Sequence, residues 1–383
     1  MLNTTLVSAD AGFLCVVSAA GYAVLALVAV LTWRRRGKLV SVPSLPPVSV
    51  LKPLCGAEPG LYENLRSFCR QEFGTFEIVF GVSDWKDSAL EVVRGLQEEF
   101  PELSIVVEVN SKQHGSNCKI SNLINMVARA RYDVLVMADS DACVDPNYLS
   151  IVTAPLRDES VGLVTSLYRA VPTPSVQSRI GAMYINEWYM PSVMIAWLFG
   201  YEGYVSGQTL CMRRQTLQAV GGLESIANHL ADDHELGARV RRAGKRVVLS
   251  AYIPSAECHE TSWQSLIRHE TRWMRTLYVL RPQSYRFIFF SFSVPLASLG
   301  VALAETVSAP TWILLSTIVA ARVGLYLIQG GRGKQRVLQD LWLIPVRDFL
   351  LCWVWGRSLF TSRITWRGNK FNVDEQGVMH RLP

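Results

Sequence analysis

Ala11–Trp33 is an apolar run closed by Arg34, Arg35 and Arg36, with Lys38 just beyond. About 20 apolar residues in succession cross a bilayer as a helix, because a helix satisfies its own backbone N–H and C=O groups. A cleaved signal peptide would carry positive charge before a shorter apolar core, whereas Met1–Asp10 holds no Lys or Arg. Basic flanks stay on the cytoplasmic side, so the N-terminus is expected outside and residue 34 onward inside. Further spans are expected at Phe287–Val307 and Thr311–Gln329, joined by an uncharged loop around Ser308-Ala309-Pro310 and followed by Arg332, Lys334 and Arg336. Glu305 and Arg322 fall in or near these spans, either snorkelling or meeting lipid headgroups. Leu338–Trp355 is interrupted by Pro345, Arg347 and Asp348, which favours an interfacial or re-entrant helix over a full span. Ile364-Thr365-Trp366-Arg367-Gly368 reads as a small β-segment.

Of the 383 residues, 50% are hydrophobic and 18% charged, and the net charge is +6. That balance suits membrane segments joined to a sizeable water-facing domain. The basic residues cluster beside the hydrophobic runs, which points to an anionic membrane surface as partner and away from nucleic acid. Eight scattered cysteines without a C-x-x-C pair read as reduced thiols on the cytosolic side.

Between Pro47 and about Arg281 the periodicity alternates between strand and helix, the pattern of an α/β fold with a mostly parallel, Rossmann-like sheet. Strands are expected at Val48–Leu54, Phe76–Val82, Leu103–Val109, Val134–Met137, Val161–Ser166, Gln208–Arg213 and Arg246–Tyr252. The intervening helices run to Arg70, to Phe100 and over Lys119–Ala130. No G-x-G-x-x-G follows the first strand and no G-x-x-x-x-G-K-[ST] occurs. A bound nucleotide would therefore rely on metal and side chains rather than a glycine-rich cradle.

The strand Val134–Met137 stops on Asp139-Ser140-Asp141. Two carboxylates one residue apart project from one side of an extended backbone, at the sheet edge where open α/β folds bind ligands. They can hold a hard divalent cation and leave positions open for diphosphate oxygens, or the segment is an ordinary polar turn. In Leu230-Ala231-Asp232-Asp233-His234-Glu235, one aspartate can cap the following helix, which stops at Gly244; two exceed that need, and one can serve as a general base. Arg268, Arg272 and Arg275 recur at helical spacing beside Trp273, forming a stripe that rests on anionic lipid or faces a leaving diphosphate. The aromatic and Met-rich run Gly181–Tyr204 is a buried core helix or a lipid-facing acceptor surface. His259 is either structural or a third metal ligand beside Asp139 and Asp141.

In order, the chain reads SVLKPLCGAEP, SDWKDSA, DSD, GGL with ADD, then HETRW. This succession resembles the membrane-bound family-2-like and family-21 glycosyltransferases of GT-A fold, most closely the ceramide glucosyltransferases and their bacterial relatives. Among those it looks like the hopanoid-biosynthesis-associated enzymes. The resemblance covers essentially the whole chain. It implies transfer of a sugar, with inversion, from UDP-N-acetylglucosamine or UDP-glucose to the hydroxyl of a hopanoid or ceramide-like lipid, at the cytoplasmic face of a bacterial inner membrane. By motif, Asp87 would serve the uridine side of the donor, Asp139 and Asp141 would hold Mg²⁺ or Mn²⁺, and Asp233 would be the base. Arg272 and Trp273 would supply the RW pair, with Arg272 on the donor diphosphate. Lys52 and Lys119 sit where family members carry lysines near the nucleotide. Two positions depart from the pattern. His269 stands where the family shows Gln or Arg, and DSD stands where the eukaryotic ceramide enzymes show DSG.

The expected organisation is an anchor over 1–38, a GT-A domain over 39–285, a C-terminal membrane region over 286–363 and a cytosolic tail over 364–383. Rival readings are a processive polysaccharide synthase, for which about three hydrophobic segments are few, a non-catalytic adaptor keeping the fold, and a metal-dependent lipid phosphatase.

Overall fold

Val48–Pro53 (β1) is buried at all six positions, as expected of a strand covered on both faces. In the computed structural model it pairs in parallel with Phe76–Val82 (β2) and Val134–Met137 (β4), and β2 pairs in parallel with Ser104–Val109 (β3). After the short Ala142–Cys143 (β5), Val161–Ser166 (β6) and Arg169–Pro172 (β7), the strand Leu210–Arg213 (β8) inserts antiparallel between β4 and β6. Arg246–Ser250 (β9) closes a seven-stranded sheet of order β3-β2-β1-β4-β8-β6-β9. Ser255–Cys258 (β10) lies between β5 and β7 in a second, three-stranded sheet.

The structure describes residues 2–36, 46–304, 306–330, 339–366 and 369–382. Lys38, Glu305, Arg332, Lys334, Arg336, Leu338, Arg367 and Gly368, which carried expectations above, lie outside those residues. The chain divides into a sheet unit (Gly37–Val171, Tyr201–His259 and Trp366–Pro383) and a helical unit (Met1–Arg36, Pro172–Gly200 and Glu260–Thr365).

Alternate residues of the central strands feed two cores. Val48, Val50, Val134 and Val136 pack with Leu65, Phe68 and Tyr148 on one face. Leu51, Leu135 and Met137 pack with Ile120, Leu123 and Leu236 on the other. The register Leu51↔Met137 sets the ends of β1 and β4 side by side, so Lys52 emerges next to the turn that begins at Asp139. Within the same unit, Asn369–Val373 (β12) and Met379–Arg381 (β13) form an antiparallel hairpin. They follow a short strand, Arg363–Trp366 (β11), at the expected β-segment.

In the helical unit, Asp10–Arg34 and Ala309–Gln329 are the two helices long and apolar enough to cross a membrane among the described residues. Phe287–Val307, expected as one span, is instead broken: Pro282–Ser291 and Ser293–Leu303 meet at 71°. The second limb packs closely on the first helix, because a Cβ on Gly300 would lie 2.5 Å from the Gly12 carbonyl oxygen. Small residues permit such backbone approach between membrane helices.

Arg322 and Arg347, two charges in the apolar stretches, are neutralised inside this unit. Arg322 is buried and bonds Asp348 Oδ1 at 2.7 Å and the Glu187 carbonyl at 3.2 Å, so it neither snorkels nor reaches a headgroup. Arg347, on the helix Leu343–Ser358, makes two bonds to Glu270, at 2.5 and 2.9 Å. Leaving either charge alone in a dry interior would be costly, which is why both partners are buried together.

Candidate active site

Just past β4, the Ala138 N–H donates to the Leu51 carbonyl and the chain turns through Asp139-Ser140-Asp141. Lys119, in the helix Cys118–Val127, forms an ion pair with Asp139 Oδ1. Lys52 is fully buried, with Nζ 2.5 Å from the Asp139 carbonyl and 3.8 Å from the Phe68 ring centroid. It supports the turn from beneath rather than presenting its ammonium to a ligand. Burial drops its pKa to about 7 even though Asp141 and Asp139 oppose that shift. The Asp141 carboxyl is pushed up by burial and by the neighbouring charge of Asp139, while Gln208 Nε2 donates to its Oδ1 at 2.9 Å.

The helix Asp232–Arg242 places Asp233 in its first turn; its N-cap is Ala231, so neither aspartate occupies the capping position. Asp233 accepts from the Gly207 N–H at 2.9 Å and the His234 N–H at 2.7 Å. Burial, and next the like charge of Asp232, raise its pKa to about 7, against the pull of Lys119. Lys119 is itself held protonated: burial opposes the charge, but Asp139, Asp232 and Asp233 together outweigh it and raise its pKa. Asn117 caps its helix by accepting from the Ile120 N–H, and it donates to Asp232 Oδ1 at 3.3 Å.

Gly207 joins the two acidic groups. Its N–H holds Asp233, and a Cβ there would sit 2.6 Å from Lys119 Nζ and 3.3 Å from Asp139 Oδ2. Gly207 and Gln208 carried no site expectation from sequence. The available signal was a glycine immediately before the expected strand Gln208–Arg213, a place where a close backbone approach favours glycine.

The other expected residues fall as follows. Asp87 accepts from the Gly56 N–H at 2.9 Å and the Ala89 N–H at 2.9 Å, tying the loop after β1 to that after β2. His259 Nε2 lies 3.2 Å from Glu257 Oε2. Among the described residues no three His, Cys, Asp or Glu side chains gather around a common point. The two aspartates nevertheless suit a hard cation: burial and then the like charge of Asp139 raise Asp141, and Mg²⁺ commonly takes one or two carboxylates and completes its shell with phosphate oxygens and water.

Arg272 and Trp273 belong to the helical unit, on the helix Trp263–Leu280. Trp273 stacks on Tyr184 at 5.1 Å and lies 4.0 Å from the His269 ring. His269 Nδ1 is 2.7 Å from Glu260 Oε1, so the residue that replaces the family's Gln or Arg braces the tryptophan. Arg275 is buried over the Tyr278 ring at 4.5 Å, which removes it from the expected basic stripe. Tyr184 begins a six-residue π-helical turn, Tyr184–Tyr189, inside the expected core helix.

A parallel-dominated sheet with aspartates at the carboxyl end of β4 defines the GT-A class of glycosyltransferase fold. Mannosyltransferase PcManGT from Pyrobaculum calidifontis, solved with GDP-Man and Mn²⁺, shares that fold with a TM-score of 0.53 at 18% identity, over 92% of this chain and 99% of its own. The chain belongs to glycosyl transferase family 21, whose pattern matches residues 12–379. It is 24% identical to ceramide glucosyltransferase 1 of Caenorhabditis elegans over 90% of this chain and 75% of that protein. It is also 24% identical to ceramide glucosyltransferase 3 of the same organism, over 89% and 76%.

Proposed function

We propose that this glycosyltransferase moves one sugar, with inversion, from a UDP-sugar to the hydroxyl of a membrane lipid. The observation that carries the proposal is the Asp233 carboxylate, with a pKa near 7 and joined through Gly207 to Lys119 and Asp139. A base of that pKa is half-ionised near neutrality and can accept a proton without large cost.

Asp139 and Asp141 would hold Mg²⁺ or Mn²⁺, which when bound supplies positive charge for the diphosphate. Lys119 adds a fixed cation beside Asp139. Asp233 takes the proton of the acceptor hydroxyl as its oxygen bonds to the anomeric carbon, and the bond from that carbon to the UDP oxygen breaks with its electron pair leaving on UDP. Asp87 holds the loops beside β1 and β2 in register for the uridine. Arg272 and Trp273 are proposed for the diphosphate and the acceptor on the strength of the HETRW motif.

The names of the relatives support a ceramide-like acceptor and transfer of glucose; the motif resemblance supports a UDP-sugar donor, with a hopanoid alcohol and UDP-N-acetylglucosamine as the other pairing. Arg34, Arg35 and Arg36 after the first span support a sheet unit on the cytoplasmic side, and the resemblance to bacterial relatives supports a bacterial inner membrane.

Membranes containing the protein, incubated with each UDP-sugar and with ceramide, bacteriohopanepolyol or total lipid extract, should yield a lipid carrying one added sugar by mass spectrometry. Folded protein that forms no glycolipid with any UDP-sugar would overturn the reading, and a ladder of oligomers would replace it with processive synthesis.

A further inference from the structure

The loop that delivers Asp232 and Asp233 has no regular structure of its own, so its backbone polar groups need outside partners. On one side Asn117 supplies them. Its N–H donates to the Ala227 carbonyl at 2.8 Å and its Nδ2 to the His229 carbonyl at 3.0 Å. On the other side the partner is the C-terminal hairpin, more than 140 residues away in sequence. The Met379 N–H donates to the Asn228 carbonyl at 2.8 Å, the Leu230 N–H donates to the Gly377 carbonyl at 2.9 Å, and His229 bridges Val378 in antiparallel fashion.

The hairpin is built to present those groups. Asp374 accepts from the Gln376 and Val378 N–H groups, both at 2.9 Å. Gly377 takes φ +82°, a conformation glycine adopts without strain. Phe371, Val373 and Met379 are buried, which anchors the strands.

We infer that the C-terminal hairpin is a positioning element for the catalytic base: it adds one strand to the loop Asn228–Leu230 and so fixes where Asp233 points. This rests on the reading of Asp233 as the base. Main-chain pairing of this kind gives orientation without requiring the hairpin to touch substrate. A misplacement of about 1 Å at a reacting group is enough to cost on the order of a hundredfold in rate.

The test uses the full-length protein in membranes and compares Met379→Pro, which removes the N–H bonded to Asn228, with Met379→Leu, which keeps it. Gly377→Ala strains the turn without removing a donor, and Glu375→Ala, at an exposed turn position, is the control. Met379→Pro is expected to lower kcat for glycolipid formation by about ten- to a hundredfold, with UDP affinity and the KM for the UDP-sugar within about twofold of the parent. The acid limb of its kcat–pH profile should also move. Gly377→Ala should show the same split at smaller size, and Met379→Leu and Glu375→Ala should behave as the parent.

Loss of UDP affinity in step with kcat, in either Met379→Pro or Gly377→Ala, would make the hairpin a general structural support and overturn the inference. So would an unchanged kcat in Met379→Pro. Asp233→Asn run alongside separates the two readings. If that variant is inactive while Met379→Pro is normal, only the hairpin's role fails. If Asp233→Asn transfers sugar normally, the base assignment fails first.

Discussion

The Gly207 N–H donates to Asp233 Oδ2 at 2.9 Å, so the residue that orients Asp233 is the same one that leaves room for Lys119 against Asp139. Asp233 and Asp139 thus meet at one backbone segment, which continues into Gln208, whose Nε2 donates to Asp141 Oδ1 at 2.9 Å. Their relative position is a property of the sheet, where β8 inserts beside β4, rather than of two independent loops.

Gly207→Ala is therefore expected to impair the site more than the fold. Its Cβ would fall 2.6 Å from Lys119 Nζ, and that flexible ammonium would have to leave Asp139. Circular dichroism and thermal unfolding should be close to those of the parent. Sugar transfer should fall by at least about tenfold; parental activity would show that the Lys119–Asp139 pair is dispensable.

As the proposed base, Asp233, raised to about 7 by burial and by Asp232, would work only when deprotonated. Transfer should rise with pH through about 7, reaching roughly a tenth of its plateau at pH 6 and nine tenths at pH 8. Asp232→Asn removes the like charge that helps raise Asp233, so its acid limb should move to lower pH. A limb that stays in place, or moves upward, would contradict the assignment of that electrostatic pairing. The readout is kcat against pH in detergent-solubilised protein.

Divalent-metal dependence should reside in the DSD turn. UDP binding by calorimetry is expected to tighten with Mn²⁺ by at least about tenfold, because the cation held by the two carboxylates adds counter-charge for the diphosphate beyond that of Lys119. Asp139→Ala should abolish the difference between metal and EDTA, whereas His259→Ala, whose ring sits by Glu257, should keep it. If Asp139→Ala retains a metal-dependent affinity, the ligand assignment is wrong.

Glu270 and Arg347 are both essentially inaccessible to solvent, with exposures of 0% and 1%. Glu270→Gln leaves a buried guanidinium uncompensated and should cost about 3–5 kcal/mol of stability, read as a large fall in the melting temperature of solubilised protein. The double variant Glu270→Leu/Arg347→Met should recover most of it, since a hydrophobic pair of similar volume removes both desolvation costs. Arg347 also lies 5.6 Å over the Tyr184 ring on which Trp273 stacks. The single variant should consequently lose acceptor-dependent activity even where it remains folded.

Alternating hydrophobicity and motif order make much of the fold legible in the sequence. Phe76–Val82 and Val161–Ser166 are strands over the residues their β-branched, two-sided apolar runs indicate. The helix after Ser262 begins where that serine accepts from the Ser265 N–H. Local chemistry dictates such elements, because each depends on neighbours a few residues away. The break at Phe292 was not legible, since an apolar stretch has the same composition whether straight or bent. The partners of Arg322 and Arg347 were equally hidden: burial of a charge depends on a counter-charge that only packing brings to it.

The sequence by itself determined an apolar first span, a βα alternation with carboxylates ending its fourth strand, and membership signals of a sugar-transferring family. These are encoded in contiguous runs, where periodicity and spacing act through the local backbone. Only packing places Lys52 beneath the Asp139 turn, joins Asp233 through Gly207 to Lys119 and Asp139, and bonds Met379 to the loop before Asp232 and Asp233. Those contacts close chain loops of 26 to 151 residues, and the net free energy that selects them comes from burying two faces of one sheet at once.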